Sequence, residues 1–231
     1  MNVAIVVAAG KGTRLGGDRP KQFLELGGVP IIVHTLRQFE RCRAISEVIT
    51  VLPADETAGF QSLVQEFGLT KAGRTVAGGA TRAQSVRRGL EEIENAEIVA
   101  VHDGVRPFVT SDEIDRVVEA AMQSGGAVLT TPVADTIKQV AGSHIAQTFP
   151  RANLRRALTP QCFRFEVLKK AYQALDELEA AGIEITDDSF LVERLEIEIV
   201  AVEGSARNIK ITTEEDLKWA EILLTSVVSG Q

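Results

Sequence analysis

The sequence predicts an α/β fold in a single domain spanning 1–231: a mostly parallel sheet with helices on both faces, and one protruding β-hairpin. Three observations carry that reading. Apolar runs short enough for strands alternate with helix-period stretches along most of the chain. The first run, Val3-Ala4-Ile5-Val6-Val7-Ala8-Ala9, is apolar at every position, as a strand covered on both faces must be. The segment 135–149 breaks the alternation, because Asp135 to Val140 and His144 to Phe149 flank Ala141-Gly142-Ser143, a three-residue turn bearing glycine.

The elements follow in chain order. A helix starts at Pro30, whose fixed φ suits a first turn, and Ile32, Leu36 and Phe39 give it one apolar stripe. A second strand over 47–52 ends at Pro53, and a helix over 56–67 leads to a short strand at 75–77. Thr81 and Gln84 then have capping-box spacing. Glu97 to Val101 forms a fourth strand that ends at His102-Asp103; Thr110 and Glu113 cap the next helix, and 127–131 is a fifth strand. Beyond the hairpin the chain returns through Leu158-Thr159-Pro160-Gln161. Helices at 164–180 and 187–195 follow, then strands at 196–202 and 208–211, and a last helix opened by Thr212 with Glu215. A two-stranded hairpin is marginal in water on its own. Residues 133–157 are therefore expected to form an arm that docks on a second copy, making a two-fold dimer.

Composition excludes several classes. At 45% hydrophobic residues, 231 residues fill one large core. A net charge of −7 and a pI near 5.2 leave no broad basic face for nucleic acid. Cys42 and Cys162 form no C-x-x-C pair, which predicts neither a zinc site nor a disulfide framework and points to a reducing compartment, the cytoplasm. No apolar stretch reaches membrane-spanning length. The N-terminal apolar run carries its charges after it, the reverse of a secretory signal.

The positive charge is local instead. Lys11, Arg14, Arg19 and Lys21 face a single acid, Asp18, in the loop after the first strand, and Gly10, Gly12, Gly16 and Gly17 let its backbone approach a ligand closely. Such a loop aims N–H groups and cations at phosphate. It lacks the Walker sequence G-x-x-x-x-G-K-[ST]. It nearly meets G-x-G-x-x-G, with Leu15 at the third position, but Gly16, Gly17 and Pro20 prevent the helix that a dinucleotide site needs there. A long cationic loop holding a triphosphate fits better. In an open parallel sheet the ligand lies beyond the carboxyl ends of the strands. That rule gathers the Gly10 loop, residues 78–85, residues 102–107 and Asn208-Ile209-Lys210. Asp103 is a hard oxygen ligand suited to Mg²⁺, or equally a capping or Arg106-paired acid. His102 reads as structural, and Asp187 and Asp188 suit a helix first turn.

Seven motifs in order carry a resemblance over nearly the whole length. They are Ala8-Ala9-Gly10-x-Gly12-x-Arg14-Leu15-Gly16, Pro20-Lys21-Gln22-Phe23, Gly78-Gly79-x-x-Arg82-x-x-Ser85, His102-Asp103-x-x-Arg106-Pro107, Thr159-Pro160-Gln161, Thr186-Asp187 and Asn208-Ile209-Lys210. Together they resemble the 2-C-methyl-D-erythritol 4-phosphate cytidylyltransferases of non-mevalonate isoprenoid synthesis. The resemblance implies a Rossmann-like sheet of the nucleotide-diphospho-sugar transferase type. It also implies transfer of CMP from CTP to a sugar-alcohol phosphate, with Mg²⁺ or another divalent cation on Asp103. By the same resemblance Arg14, Lys21 and Lys210 are catalytic. Ala8, Ala9, Gly10, Gly12, Thr13, Gly79, Arg82, Ser85 and Asp103 surround the nucleotide, with Ser85 on the base side. Arg106, Thr136, Arg151, Thr159 and Thr186 hold the acceptor, Thr136 and Arg151 reaching it from the partner's arm. Gly104-Val105 departs from the family's usual small pair.

Three rivals remain for comparison. A ribitol 5-phosphate cytidylyltransferase shares these motifs but typically reads Ala-Gly-Gly where this chain has Ala8-Ala9-Gly10. An NAD(P) oxidoreductase needs an acid closing the second strand, which here ends Val51-Leu52-Pro53 before Asp55. A non-catalytic nucleotide sensor leaves the paired loop cations unexplained. No fused second catalytic domain is expected.

Overall fold

The computed structural model describes residues 1–10 and 19–228. Strand β1 (Val3–Val7) is followed, beyond a 3-10 turn at Lys21–Phe23, by a small hairpin of β2 (Glu25–Leu26) and β3 (Val29–Pro30). Then come α1 (Ile31–Arg41), β4 (Glu47–Leu52), α2 (Thr57–Glu66), β5 (Arg74–Ala77), α3 (Arg82–Glu91), β6 (Ile98–Asp103) and α4 (Ser111–Ser124). Strand β7 (Gly126–Pro132) leads into the hairpin of β8 (Ile137–Ala141) and β9 (His144–Phe149). The chain closes with β10 (Arg155–Arg164), α5 (Phe165–Ala171), α6 (Leu175–Ala180), α7 (Asp188–Glu193), β11 (Val200–Glu203) and α8 (Glu214–Val228).

Seven strands form one sheet in the order β11-β7-β10-β6-β1-β4-β5. All neighbours are parallel except β10, which runs antiparallel to both β6 and β7. The period-two alternation of each strand sorts its side chains into two cores. Ala4, Val6, Val48, Leu52, Ile98 and Ala100 meet α1, α2 and α4 through Leu36, Phe39, Phe60 and Val117 on one face. Val3, Ile5, Ile49, Val51, Val99 and Val101 meet α3, α5, α6 and α7 through Val86, Leu168, Leu175 and Leu191 on the other. Both faces are thus covered, as the unbroken apolar run of β1 requires. A third cluster, Leu26, Ile31, Val105, Ile211 and Ala220, seats α8 against the β2–β3 hairpin. Among the described residues no helix is long and apolar enough to cross a membrane.

Several expectations need correction. The segment 155–164, to which the sequence reading assigns no strand, is a full strand: it sits in mid-sheet, and its register shifts between Ala157 and Gln161 around a cis Thr159–Pro160 bond. Residues 208–211 join no strand; they are held instead by Ile211 N–H donating to Val105 O, Asn208 Nδ2 donating to Thr159 O and Arg106 donating to Asn208 O. The turn of the arm holds two residues, since Ala141 pairs directly with His144 and Gly142 takes φ +60°. The last helix is capped one residue later than predicted. Thr213 Oγ1 accepts from Asp216 N–H, while the Asp216 carboxylate accepts from the N–H groups of Thr212 and Thr213. At α3 only half of the capping box forms: Thr81 accepts from Gln84 N–H, but the Gln84 side chain accepts from Ala80 N–H instead.

Candidate active site

The chain passes from β1 to β4 and β5 on one side, then returns to lay β6 against the other flank of β1. The order reverses between β1 and β6, and an open α/β sheet binds its ligand at such a point. Val7 and Asp103 are register partners at the carboxyl ends of these two strands. A cleft of about 280 Å³ opens there, and its lining includes Ala8, Ala9, Gly10, Lys21, Gly79, Arg82, Ser85, Asp103 and Lys210. Elements far apart in sequence approach closely. A Cβ on Gly78 would collide with Ala9 Cβ, and one on Gly104 would lie 2.8 Å from Ala8 Cβ. The departure from the family pattern at Gly104-Val105 therefore fits locally, with Val105 packed in the third core cluster.

Asp103 is the centre of charge. Its Oδ1 accepts from Arg82 Nε at 3.0 Å, while Oδ2 accepts from Arg106 Nε at 3.1 Å and pairs with Lys210 Nζ at 3.0 Å. The carboxylate is buried, which opposes ionisation, but the Arg82, Lys210 and Arg106 charges overcome that and hold it well below the usual carboxylate range. Both alternatives for Asp103, ion pair and metal ligand, therefore start from a carboxylate ionised at neutral pH. Behind it the fully buried His102 is neutral, its pKa pushed down to about 4 chiefly by burial. Thr159 Oγ1 accepts from Asp103 N–H and lies 2.9 Å from His102 Nδ1, while His102 Nε2 lies 3.3 Å from Arg106 O. Since Arg106 O accepts only, the arrangement assigns the ring proton to Nε2. His102 is structural, as the sequence suggested, and Thr159 braces the strand end with it.

The Arg82 guanidinium bridges two acids. Its Nη2 donates to Asp188 Oδ2 at 2.9 Å, and the fully buried Asp188 also accepts from Tyr172 Oη at 2.5 Å. Gln161 Oε1 accepts the Asp188 and Ser189 N–H groups, and its Nε2 donates to Asp187. Asp187 is the α7 N-cap, so only Asp188 is committed to the site side. This Asp188–Tyr172 support for Arg82 escaped sequence reading, which saw both acids as helix-terminal charges. Ser85 is likewise committed: its hydroxyl accepts from Gly79 N–H and donates to Thr81 O, shaping the 78–81 turn.

The remaining candidates divide by position. Arg106 also donates to Asn208 O, tying the Lys210 segment to β6. Thr186 lines a neighbouring cavity that shares Arg82 as a wall. Thr136 and Arg151 lie on the exposed arm, with Arg151 Nη1 donating to Ala134 O, and neither lines the cleft of its own chain. Gly12, Thr13 and Arg14 fall outside the described residues.

A family model described as 2-C-methyl-D-erythritol 4-phosphate cytidylyltransferase matches residues 2–226. The chain belongs to the 2-C-methyl-D-erythritol 4-phosphate cytidylyltransferase family. Relatives of that name include one from Bacillus velezensis, 44% identical over 96% of this chain and 95% of the relative, and one from Geobacillus kaustophilus, 42% identical over 96% of both. Among solved structures, the 4-diphosphocytidyl-2C-methyl-D-erythritol synthase from Anaerococcus prevotii superposes with a TM-score of 0.84 at 29% identity, covering 97% of this chain and 96% of that one. The cytidylyltransferase from Thermus thermophilus gives 0.77 at 35% identity, covering 96% and 98%. These likenesses span the whole sheet. The family fold is therefore the mostly parallel sheet described above.

Proposed function

We propose that this chain transfers CMP from CTP to 2-C-methyl-D-erythritol 4-phosphate, releasing pyrophosphate and giving 4-diphosphocytidyl-2-C-methyl-D-erythritol in isoprenoid precursor synthesis. The observation that carries the reading is the convergence of Lys21, Arg82 and Lys210 on one cleft around an ionised, buried Asp103. An acceptor phosphate oxygen attacks the α-phosphorus in line; the new O–P bond forms as the bond to the β-phosphate breaks, and pyrophosphate leaves with the electron pair. The nucleophile is already ionised, so no general base is required. What opposes the reaction is anion meeting anion, and fixed cations offset that repulsion most where charge develops.

In this scheme Lys21 and Arg14 hold the triphosphate, and Lys210 lies toward the α-phosphate and acceptor. Ala8, Ala9, Gly10, Gly12, Thr13 and Gly79 give the nucleotide close backbone approach, and Arg82 and Ser85 frame its nucleoside side. Arg106, Thr159 and Thr186 serve the acceptor end. Among the described residues no cluster of three or more acids, histidines or cysteines could cage a metal. Mg²⁺ commonly needs only one or two carboxylates when phosphates complete its shell. Asp103 fits that demand, being ionised at neutral pH, with Oδ1 accepting only from Arg82 among the described residues. When bound, the cation neutralises phosphate charge.

The arm supports a dimer reading. Its pairs Ile137–Phe149 and Val140–Ile145 are exposed on a hairpin that lies outside the main sheet, with Val140 63% and Ile145 67% exposed. A second copy would cover them and bring Thr136 and Arg151 to the neighbouring cleft. We read residues 1–231 as one catalytic domain carrying that arm, acting in the cytoplasm. The test is pyrophosphate release with CTP and Mg²⁺, run in parallel with 2-C-methyl-D-erythritol 4-phosphate and ribitol 5-phosphate. Release with the first acceptor alone is expected; release with ribitol 5-phosphate alone would reassign the acceptor, and release with neither would remove the catalytic reading.

A further inference from the structure

Among the described residues four buried side-chain polar atoms lack a hydrogen-bond partner, and two of them belong to one group, the Gln22 carboxamide. Gln22 is 1% exposed, yet it lines the cleft next to Lys21. Its backbone turn does not depend on that side chain. Phe23 N–H donates to Pro20 O, Leu24 N–H to Lys21 O and Ile31 N–H to Leu24 O, while the Phe23 ring anchors the turn in the core. A buried amide that leaves both its donor and its acceptor unmet is costly, and an apolar side chain of the same volume would remove that cost. The position therefore keeps a group that destabilises the ligand-free protein.

We propose that Gln22 is a nucleotide-contacting residue, its carboxamide N–H groups donating to phosphate oxygens of the bound triphosphate. This rests on the cytidylyltransferase reading and deepens it. The chemistry matches the neighbourhood, because Lys21 is adjacent in sequence and the cleft is built to hold phosphate. A neutral donor adds direction to the charge that lysine supplies, since an amide N–H binds phosphate only along a defined line.

The test is Gln22→Met, close to glutamine in volume but without polar donors, compared with the wild-type chain for thermal midpoint and for calorimetric affinity toward CTP with Mg²⁺ and toward pyrophosphate with Mg²⁺. The expected result is a ligand-free midpoint raised by about 3 °C, together with affinity about tenfold weaker for both ligands. A residue that merely braced the fold would give a lowered midpoint, and that outcome overturns the proposal. Unchanged affinity for pyrophosphate overturns it as well. Gln22→Glu supplies a second check, as its acid repels phosphate and should weaken both ligands more than the methionine does; wild-type affinity in that variant would refute the contact. Wild-type protein that neither binds CTP nor releases pyrophosphate would instead sink the underlying cytidylyltransferase reading.

Discussion

Asp103 draws partners from three distances along the chain. Arg106 is three residues away, Arg82 is twenty-one residues before it, and Lys210 comes from the far end. Only the first pairing was legible in the sequence, because an i,i+3 spacing is local and the other two depend on how the sheet is ordered. Asp103→Asn leaves three cations facing a neutral amide, so the variant should lose on the order of 3 kcal/mol of stability at neutral pH. The sign follows from the depressed pKa. The native carboxylate stabilises the fold above the unfolded value near 4, and this contribution disappears as pH falls below it. Denaturation curves of the two proteins should therefore converge in acid, and a constant gap down to pH about 2 would contradict the account. Lys21 behaves differently. It stands in the cleft rather than in the core, so Lys21→Ala should fold normally while turnover drops by roughly 10²–10³. Near-normal turnover in steady-state assays would remove Lys21 from its role.

Strands with mostly apolar runs were readable because burial on both faces leaves little room for polar residues. β4 runs Glu47–Leu52, matching the segment read from the sequence. β10 was missed for the opposite reason. Arg155, Arg156 and Pro160 are poor strand residues, and they are tolerated because the first two are exposed and the proline sits where the ladder is already interrupted. Residues 208–211 misled in the other direction, alternating polar and apolar like a strand while Asn208 and Ile211 turn inward and Lys210 reaches Asp103. Helix starts were easier. Thr110 and Glu113 form the reciprocal box that their spacing predicted, and the Glu113 carboxylate also accepts Ser205 N–H at 2.6 Å. Thr110→Ala should cost about 1 kcal/mol in chemical denaturation and leave the Michaelis constants unchanged, since α4 lies away from the cleft. A changed KM for CTP would mean that α4 communicates with the site.

At the scale of the whole molecule, function depends on where the arm goes. If each cleft is completed by the neighbour's Thr136 and Arg151, subunits carrying Lys21→Ala and subunits carrying Arg151→Ala should each be nearly inactive alone. Unfolding and refolding an equal mixture makes half of the dimers mixed, and each mixed dimer has one intact site, so about a quarter of wild-type activity should return. No recovery on mixing would place Arg151 in its own subunit's cleft, and near-normal activity of the Arg151→Ala protein alone would place it outside the site. Tyr172 offers a simpler view of the folded molecule. It is the only tyrosine in the chain, and its hydroxyl is shut inside against Asp188, with burial and that carboxylate raising its pKa well above the usual value. The protein thus carries a built-in optical alarm for alkali. Its phenolate absorbance should stay silent through the range near pH 10 where free tyrosine ionises, then rise in one step when the chain unfolds.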